Sequence, residues 1–547
     1  MRNRAPERFP WQGTAEIRDN PATRLFGKRF FSDQSVLEFL AEFLAVVHCP
    51  KKLGGDELRT SLPDWAYLSG WPEGEPLQYR PPIRLNVKLL AFLGASPVDT
   101  RHGVHLKQYR ALAARLAGKI EASEDHQEVA AWLEDLLRGY QGAGANRTWC
   151  AQTFFPIASS LLTRETIWAM SRARKYNPAN WDSVLADSAD YFPIKRNFLA
   201  KGGELLYLGL CNALRAPAAG LAEFTGRLRA SDPECLTTEE MDPAKLHLAL
   251  EEGLSALDGA HTRGLNALVE WVENLDEDTH QAVNAGRGRE GWLQTEWCPR
   301  ESWPEGYLFA VELKRVLQAV LDPVSRVELL MTGCALQVLR SLCAQSARYA
   351  DVGRTDWPLG YTWMVAPPEV AQRAERQAAQ RNLQAVARII YEALRDPALA
   401  ADTERDRYTA AEGVDSAVDS KYGHKLFVSL GKRLGLIAPR TGRGAKLVMT
   451  DGILRYLVLA LLRPGERCTY DSFVRRLQLH YGIVVEGEAW QAGLQWSGLP
   501  LARAPQGGNG SWLANSLRAG GFLTELSDAC SMVRNIYAPE GDEGVAR

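Results

Sequence analysis

From Gln34 to Cys343 apolar residues recur at three- and four-residue intervals, the period of helices that each bury one face. A chain patterned this way is committed to packing helix on helix. The spacing predicts helices over 34–48, 105–120, 126–140, 158–175, 197–215, 218–229, 243–257, 264–274, 307–321 and 327–343, then a long polar helix over 368–395. The stretch 34–48 is apolar over more than one stripe, so it belongs inside. Pro63–Pro82, rich in Pro, Gly and Trp, reads as an ordered loop. The segment 296–306 reads as a boundary or a Trp-rich surface loop, and 355–363 as a further break.

At 547 residues the chain exceeds what one core is expected to hold, about 250–300 residues. The expected fold class is mainly α: a multi-domain helical body with a C-terminal α+β winged-helix-like region. The expected divisions are a basic arm (1–33), an N-terminal helical domain (34–215), a middle helical domain (216–366), a connecting helix (367–404) and two winged-helix-like domains (405–463 and 464–547).

That C-terminal reading rests on local grammar. The stretch from His424 is amphipathic and reaches Gly435, a natural C-cap. Leu436–Pro439 is strand-like, Arg440-Thr-Gly-Arg-Gly is a turn, and Ala445–Met449 returns. A helix then runs from Gly452 to Leu462. The pattern recurs downstream: Thr469 caps a helix to about His480, Trp512–Ala519 ends at Gly520-Gly521, and 522–526 with 530–537 form a hairpin.

Charge singles out the first of these units. Between 421 and 480 stand twelve Lys or Arg residues and three acids, a local net of +9 in a chain whose net charge is -2. Such segregation is the electrostatic footprint of a phosphate-backbone partner. The expected contacts to double-stranded DNA are His424, Lys425, Lys432 and Arg433 on the helix, and Arg440, Arg443 and Lys446 on the wing.

No motif points to catalysis with comparable force. Gly286-Arg-Gly-Arg-Glu-Gly291 matches the dinucleotide fingerprint in letters but follows no strand, and no phosphate-binding G-x-x-x-x-G-K-[ST] occurs. Val311-Glu-Leu-Lys314 resembles the E-x-K half of a metal-dependent nuclease core, yet its apolar spacing continues as a helix. His102 and His105 have no further ligands nearby. Nine scattered cysteines without a C-x-x-C pair read as buried filler of a reducing compartment. No apolar run is read as a membrane span or secretory leader, so the expected location is the cytoplasm, without membrane partner, metal or cofactor.

Lys201-Gly-Gly-Glu-Leu-Leu-Tyr-Leu and Leu526-Ser-Asp-Ala-Cys-Ser-Met-Val-Arg-Asn-Ile-Tyr resemble segments of large proteins from bacterial multi-gene anti-phage defence operons, of the methylation- or phosphorothioation-associated type. The resemblance implies a non-enzymatic subunit beside separate ATPase, nuclease or methyltransferase proteins. The expected function is therefore a DNA-binding accessory subunit of such a complex. The alternatives are an assembly subunit whose winged helices dock proteins, and a metal-dependent nuclease centred on Glu312 and Lys314.

Overall fold

Helices α1 (Val36–His48) and α2 (Gly202–Leu214) approach at a distance only glycine permits. A Cβ on Gly202 would lie 2.4 Å from the Phe39 ring, and one on Gly203 would lie 2.2 Å from the Phe43 backbone nitrogen. The Gly203 N–H instead donates to the buried Glu42 carboxylate at 3.0 Å. The next residue, Glu204, is also buried, accepting hydrogen bonds from the Tyr79 hydroxyl and the Glu296 amide, each at 2.7 Å. Its carboxylate joins three distant segments, which exceeds the helix-start role that sequence position alone suggests.

The computed structural model describes residues 6–10, 21–79, 202–257, 292–350, 358–399, 423–501 and 504–538, apart from a few positions inside these runs. The helices expected over 105–120, 126–140, 158–175 and 264–274, the Gly286–Gly291 loop, His102, His105, Cys150 and Lys421 lie outside the described residues.

After α2 the chain turns by 96° into α3 (Ala218–Ser231). Helix α4 (Pro243–Ala256) starts at Asp242, whose carboxylate accepts from the Ala244 amide at 3.0 Å, with proline in the first turn where its missing N–H costs nothing. Helix α5 (Trp303–Gln318) is buried from Glu305 to Leu317 and packs on α2, α4 and α6 (Pro323–Tyr349). Helix α6, 27 residues, is long and apolar enough to cross a membrane by composition. In the fold, 72% of its most apolar window is buried, against α1, α5 and the helices that follow.

Short strands tie this helical mass together. Asp56–Leu58, Lys51–Leu53, Gln78–Tyr79 and Leu293–Gln294 form a four-stranded antiparallel sheet in that order. Cys298–Pro299 pairs with Arg8–Phe9. Trp297 and Cys298 are buried, so the Trp-rich segment expected as a boundary or surface loop is an interior strand leading into α5. The break expected before residue 363 likewise ends in β1 (Trp363–Met364), where Trp363 is wholly buried.

The main elements after β1 are α7 (Arg373–Ala393), α8 (His424–Leu434), β2 (Ile437–Ala438), β3 (Lys446–Leu447), α9 (Asp451–Leu461), β4 (Arg467–Thr469), α10 (Tyr470–Tyr481), β5 (Ile483–Val484), α11 (Gly487–Trp496), α12 (Trp512–Ala519), β6 (Leu523–Ser527) and β7 (Cys530–Arg534). Strand β1 runs parallel to β5, 120 residues later, and β4, β7 and β6 form an antiparallel sheet in that order. The chain is mainly helical, with small sheets at its joints. Its buried apolar residues form a contiguous cluster from Phe9 to Val533, continuous across the divisions expected at 216, 367 and 464.

Candidate nucleic-acid interface

The unit 424–450 has the helix–strand–turn–strand order its sequence predicts. Helix α8 buries Leu426, Phe427, Leu430 and Gly431 and stops at Gly435, whose φ of +89° suits the left-handed C-cap. A Cβ on Gly431 would meet the Ile437 side chain at 2.7 Å, so this glycine lets β2 lie close against the helix. Strands β2 and β3 pair antiparallel, Ile437 with Leu447 and Ala438 with Lys446. Every residue from Pro439 to Gly444 is exposed, and Gly442 and Gly444 hold positive φ at +92° and +84°. Arg440 and Arg443 stand on this loop in water.

The other five expected contact residues divide. Lys425 is exposed and Lys432 half-buried; seven residues apart, they share the side of α8 opposite its buried stripe. His424 is half-buried at the helix start. Arg433 reaches the solvent surface, but its guanidinium donates to the carbonyl of Gln34, ahead of α1. Lys446 is not a wing-tip cation. It is buried in β3 with Nζ donating to the Pro367 carbonyl at 2.9 Å, and burial, helped by nearby Arg376, pulls its pKa down.

The twelve cations between 421 and 480 therefore do not form one patch. Arg476 is wholly buried, pairing with Asp232 and Glu466 at 2.7 Å each. Arg463 pairs with Glu466, Arg455 lies over the Tyr537 ring, and Arg475 donates to the Ser231 carbonyl. Charge summed along a sequence includes interior cations such as Arg476 and Lys446; a surface does not.

A neighbouring surface escaped the local charge count because it lies 50 residues earlier. Helix α7 packs its Ala378, Ala379, Asn382, Leu383, Val386 and Ile390 side inward, against α6 and β3 among others. Arg373, Arg376, Gln377, Arg381, Gln384 and Arg388 are exposed on the other side. The helix touches the wing directly: Gln380 Nε2 donates to the Gly444 carbonyl at 3.1 Å. The sequence signal is the strong amphipathic contrast of this polar helix, which marks a surface helix and not a mere connector.

Glu312 and Lys314, the candidates for metal chemistry, sit on a single helix and not on the strand a nuclease core needs. Glu312 is wholly buried and its oxygens are occupied. Arg340 forks onto both at 2.7 and 2.9 Å, His480 Nδ1 lies at 2.9 Å, and the Tyr481 hydroxyl donates at 2.5 Å. Burial pushes the Glu312 carboxyl up, but Arg340 and His480 override it and leave the pKa below its usual value. Lys314 is buried 3.8 Å from Glu240. Among the described residues no three His, Cys, Asp or Glu side chains cluster to hold a metal ion.

The second hairpin, β6–β7, has a different character. Arg518 on α12 pairs with Glu525 on β6, and Leu526 beside the turn is 66% exposed. Cation and acid cancel there. No family model, curated protein or solved structure matches the chain.

Proposed function

We propose that this chain is a non-catalytic, DNA-binding accessory subunit that engages duplex DNA through the β2–β3 wing and the Lys425–Lys432 side of α8. The observation that carries the reading is the loop Arg440–Gly444: five consecutive exposed residues, two positive-φ glycines and two arginines. Glycines at those φ values let the loop curl without strain, and exposed guanidiniums fork onto phosphate oxygens. Such contacts position a protein on the backbone without reading sequence.

The strand orders support two winged-helix-like units. In the second, β4 precedes α10, α11 and α12 and pairs with β7 of the closing hairpin, giving a three-stranded sheet behind a helix–wing pair. The resemblance to defence-operon proteins supports placement beside other subunits of a prokaryotic anti-phage complex. The Arg518–Glu525 ion pair leaves the second unit without the net basic charge of the first, which favours the second as the one that docks protein.

The test is binding of the full chain to duplex DNA across salt concentrations. Arg440→Ala with Arg443→Ala should weaken binding to unrelated sequences alike and lower the slope of log affinity against log salt by about 2, roughly one per lost phosphate contact. Lys446→Met should leave that slope unchanged, because its ammonium faces a carbonyl inside. A double variant that binds as the parent at every salt concentration overturns the wing assignment.

A further inference from the structure

We propose that the outward face of α7 is the duplex-reading part of the same interface, seated in the major groove of B-form DNA while the wing holds the flanking phosphates. This inference rests on the DNA reading of the wing and extends it to residues 373–388.

Three observations carry it. The first is contact. β3 packs on α7, and the Gln380–Gly444 hydrogen bond joins the middle of the helix to the exposed loop, so a duplex touching Arg443 lies beside α7. The second is chemistry. Solvated helices commonly alternate acids with bases four residues apart, whereas this face presents Arg373, Arg376, Gln377, Arg381, Gln384 and Arg388 without an interspersed acid. Of the two acids in the helix, Glu375 is buried and accepts from the Gln372 amide in the helix cap, and Glu392 stands at the far end, 3.8 Å from Arg388. Arginine forks onto guanine and glutamine onto adenine in the major groove, which makes this a set of base-reading side chains. Arg381 donates to the Gln384 amide oxygen at 3.2 Å, so the two heads are held side by side on one turn.

The third is size. From Arg373 to Arg388 the helix advances about 22 Å at 1.5 Å per residue, and its diameter of about 10–12 Å matches a B-DNA major groove about 12 Å wide. The deep, narrow major groove of A-form RNA does not admit such a helix. DNA duplex is therefore the ligand, and RNA duplex is the discriminating control.

The experiment measures fluorescence anisotropy of a labelled 24-base-pair DNA duplex and of the RNA duplex of the same sequence, with the full chain at 50–200 mM salt. The proteins compared are the parent, R381A/R388A and R440A/R443A, each checked for an unchanged thermal midpoint, since all four side chains are exposed. A pool of random DNA duplexes enriched on the parent and on Gln384→Ala reads base preference. The expected results are at least tenfold weaker DNA binding for R381A/R388A, at least tenfold weaker binding of RNA than of DNA by the parent, and a preference relaxed at one position by Gln384→Ala. If R440A/R443A loses affinity while R381A/R388A and Gln384→Ala match the parent, the α7 assignment fails and the wing reading stands. If the parent binds the RNA duplex as tightly as the DNA, the major-groove placement is overturned. If the parent binds neither duplex, the DNA reading itself fails, and this inference with it.

Discussion

Arg315, Arg340 and Arg476 are wholly removed from water, and each is held by carboxylates together with backbone carbonyls. Removing one partner of such a pair strands the other charge in the interior, which costs about 3–5 kcal/mol. Glu312→Gln should therefore lower the urea midpoint by an amount in that range, read as unfolding free energy, although the side chain keeps its shape. Glu240 offers a pH test. Burial pushes its carboxyl up, but the Arg315 guanidinium, at 2.8 and 2.9 Å, outweighs this and holds the pKa at about 2. A depressed folded-state pKa stabilises above the ordinary carboxylate range and ceases to do so as pH falls through it. The stability gap between the parent and Glu240→Gln should thus be full at neutral pH and close as pH falls from about 4.5 toward about 2. None of this was legible in sequence. Val311-Glu-Leu-Lys314 has the letters of a metal site, and only Arg340 and His480, far away in the chain, reveal that Glu312 is an internal counter-ion.

Helices were legible and strands largely were not, for a geometric reason. Thirteen or more residues at helical spacing, as in α1 or α6, state their period several times over. Two-residue strands such as Trp363–Met364 or Cys298–Pro299 contain no alternation to read. Helix α11, only ten residues and rich in Gln and Gly, was missed for the same want of repeats. The β2–β3 hairpin is legible because the glycines at 442 and 444 mark its turn. Glycine pairs also predict packing: Gly203→Ala places a methyl 2.2 Å from the Phe43 nitrogen, so α1 and α2 must separate. Overpacking of this kind costs about 1–3 kcal/mol, and a lowered thermal midpoint with the helical circular dichroism retained would register it.

At the scale of the molecule, the apolar core and the buried ion pairs ignore the order of the chain. Arg476 in α10 needs Asp232, Arg315 in α5 caps the carbonyls of Ala460 and Leu461, and β5 completes a sheet begun by Trp363. Residues 423–538 expressed alone should lack a cooperative thermal transition, because Arg476 and the edge of β5 would lose the partners that residues before 423 supply. Circular dichroism melting of that fragment checks this. The candidate site was half legible for the same reason: the wing is contiguous in sequence, whereas α7 joins it only through the fold, and two of the cations near it in sequence, Lys446 and Arg476, point inward. The dependence of Arg340 on the His480 carbonyl has a further consequence, for the ribosome. With synthesis at about 5–20 residues per second, residues 480 and 481 leave the ribosome roughly 7–28 seconds after Arg340. Through that interval the Arg340–Glu312 pair lacks its partners His480 and Tyr481, and the faces of α5 and α6 that α9 covers stay open. Nascent chains halted before residue 480 should accordingly be held by chaperones or degraded, and translation past residue 480 sets when the earlier helices lock.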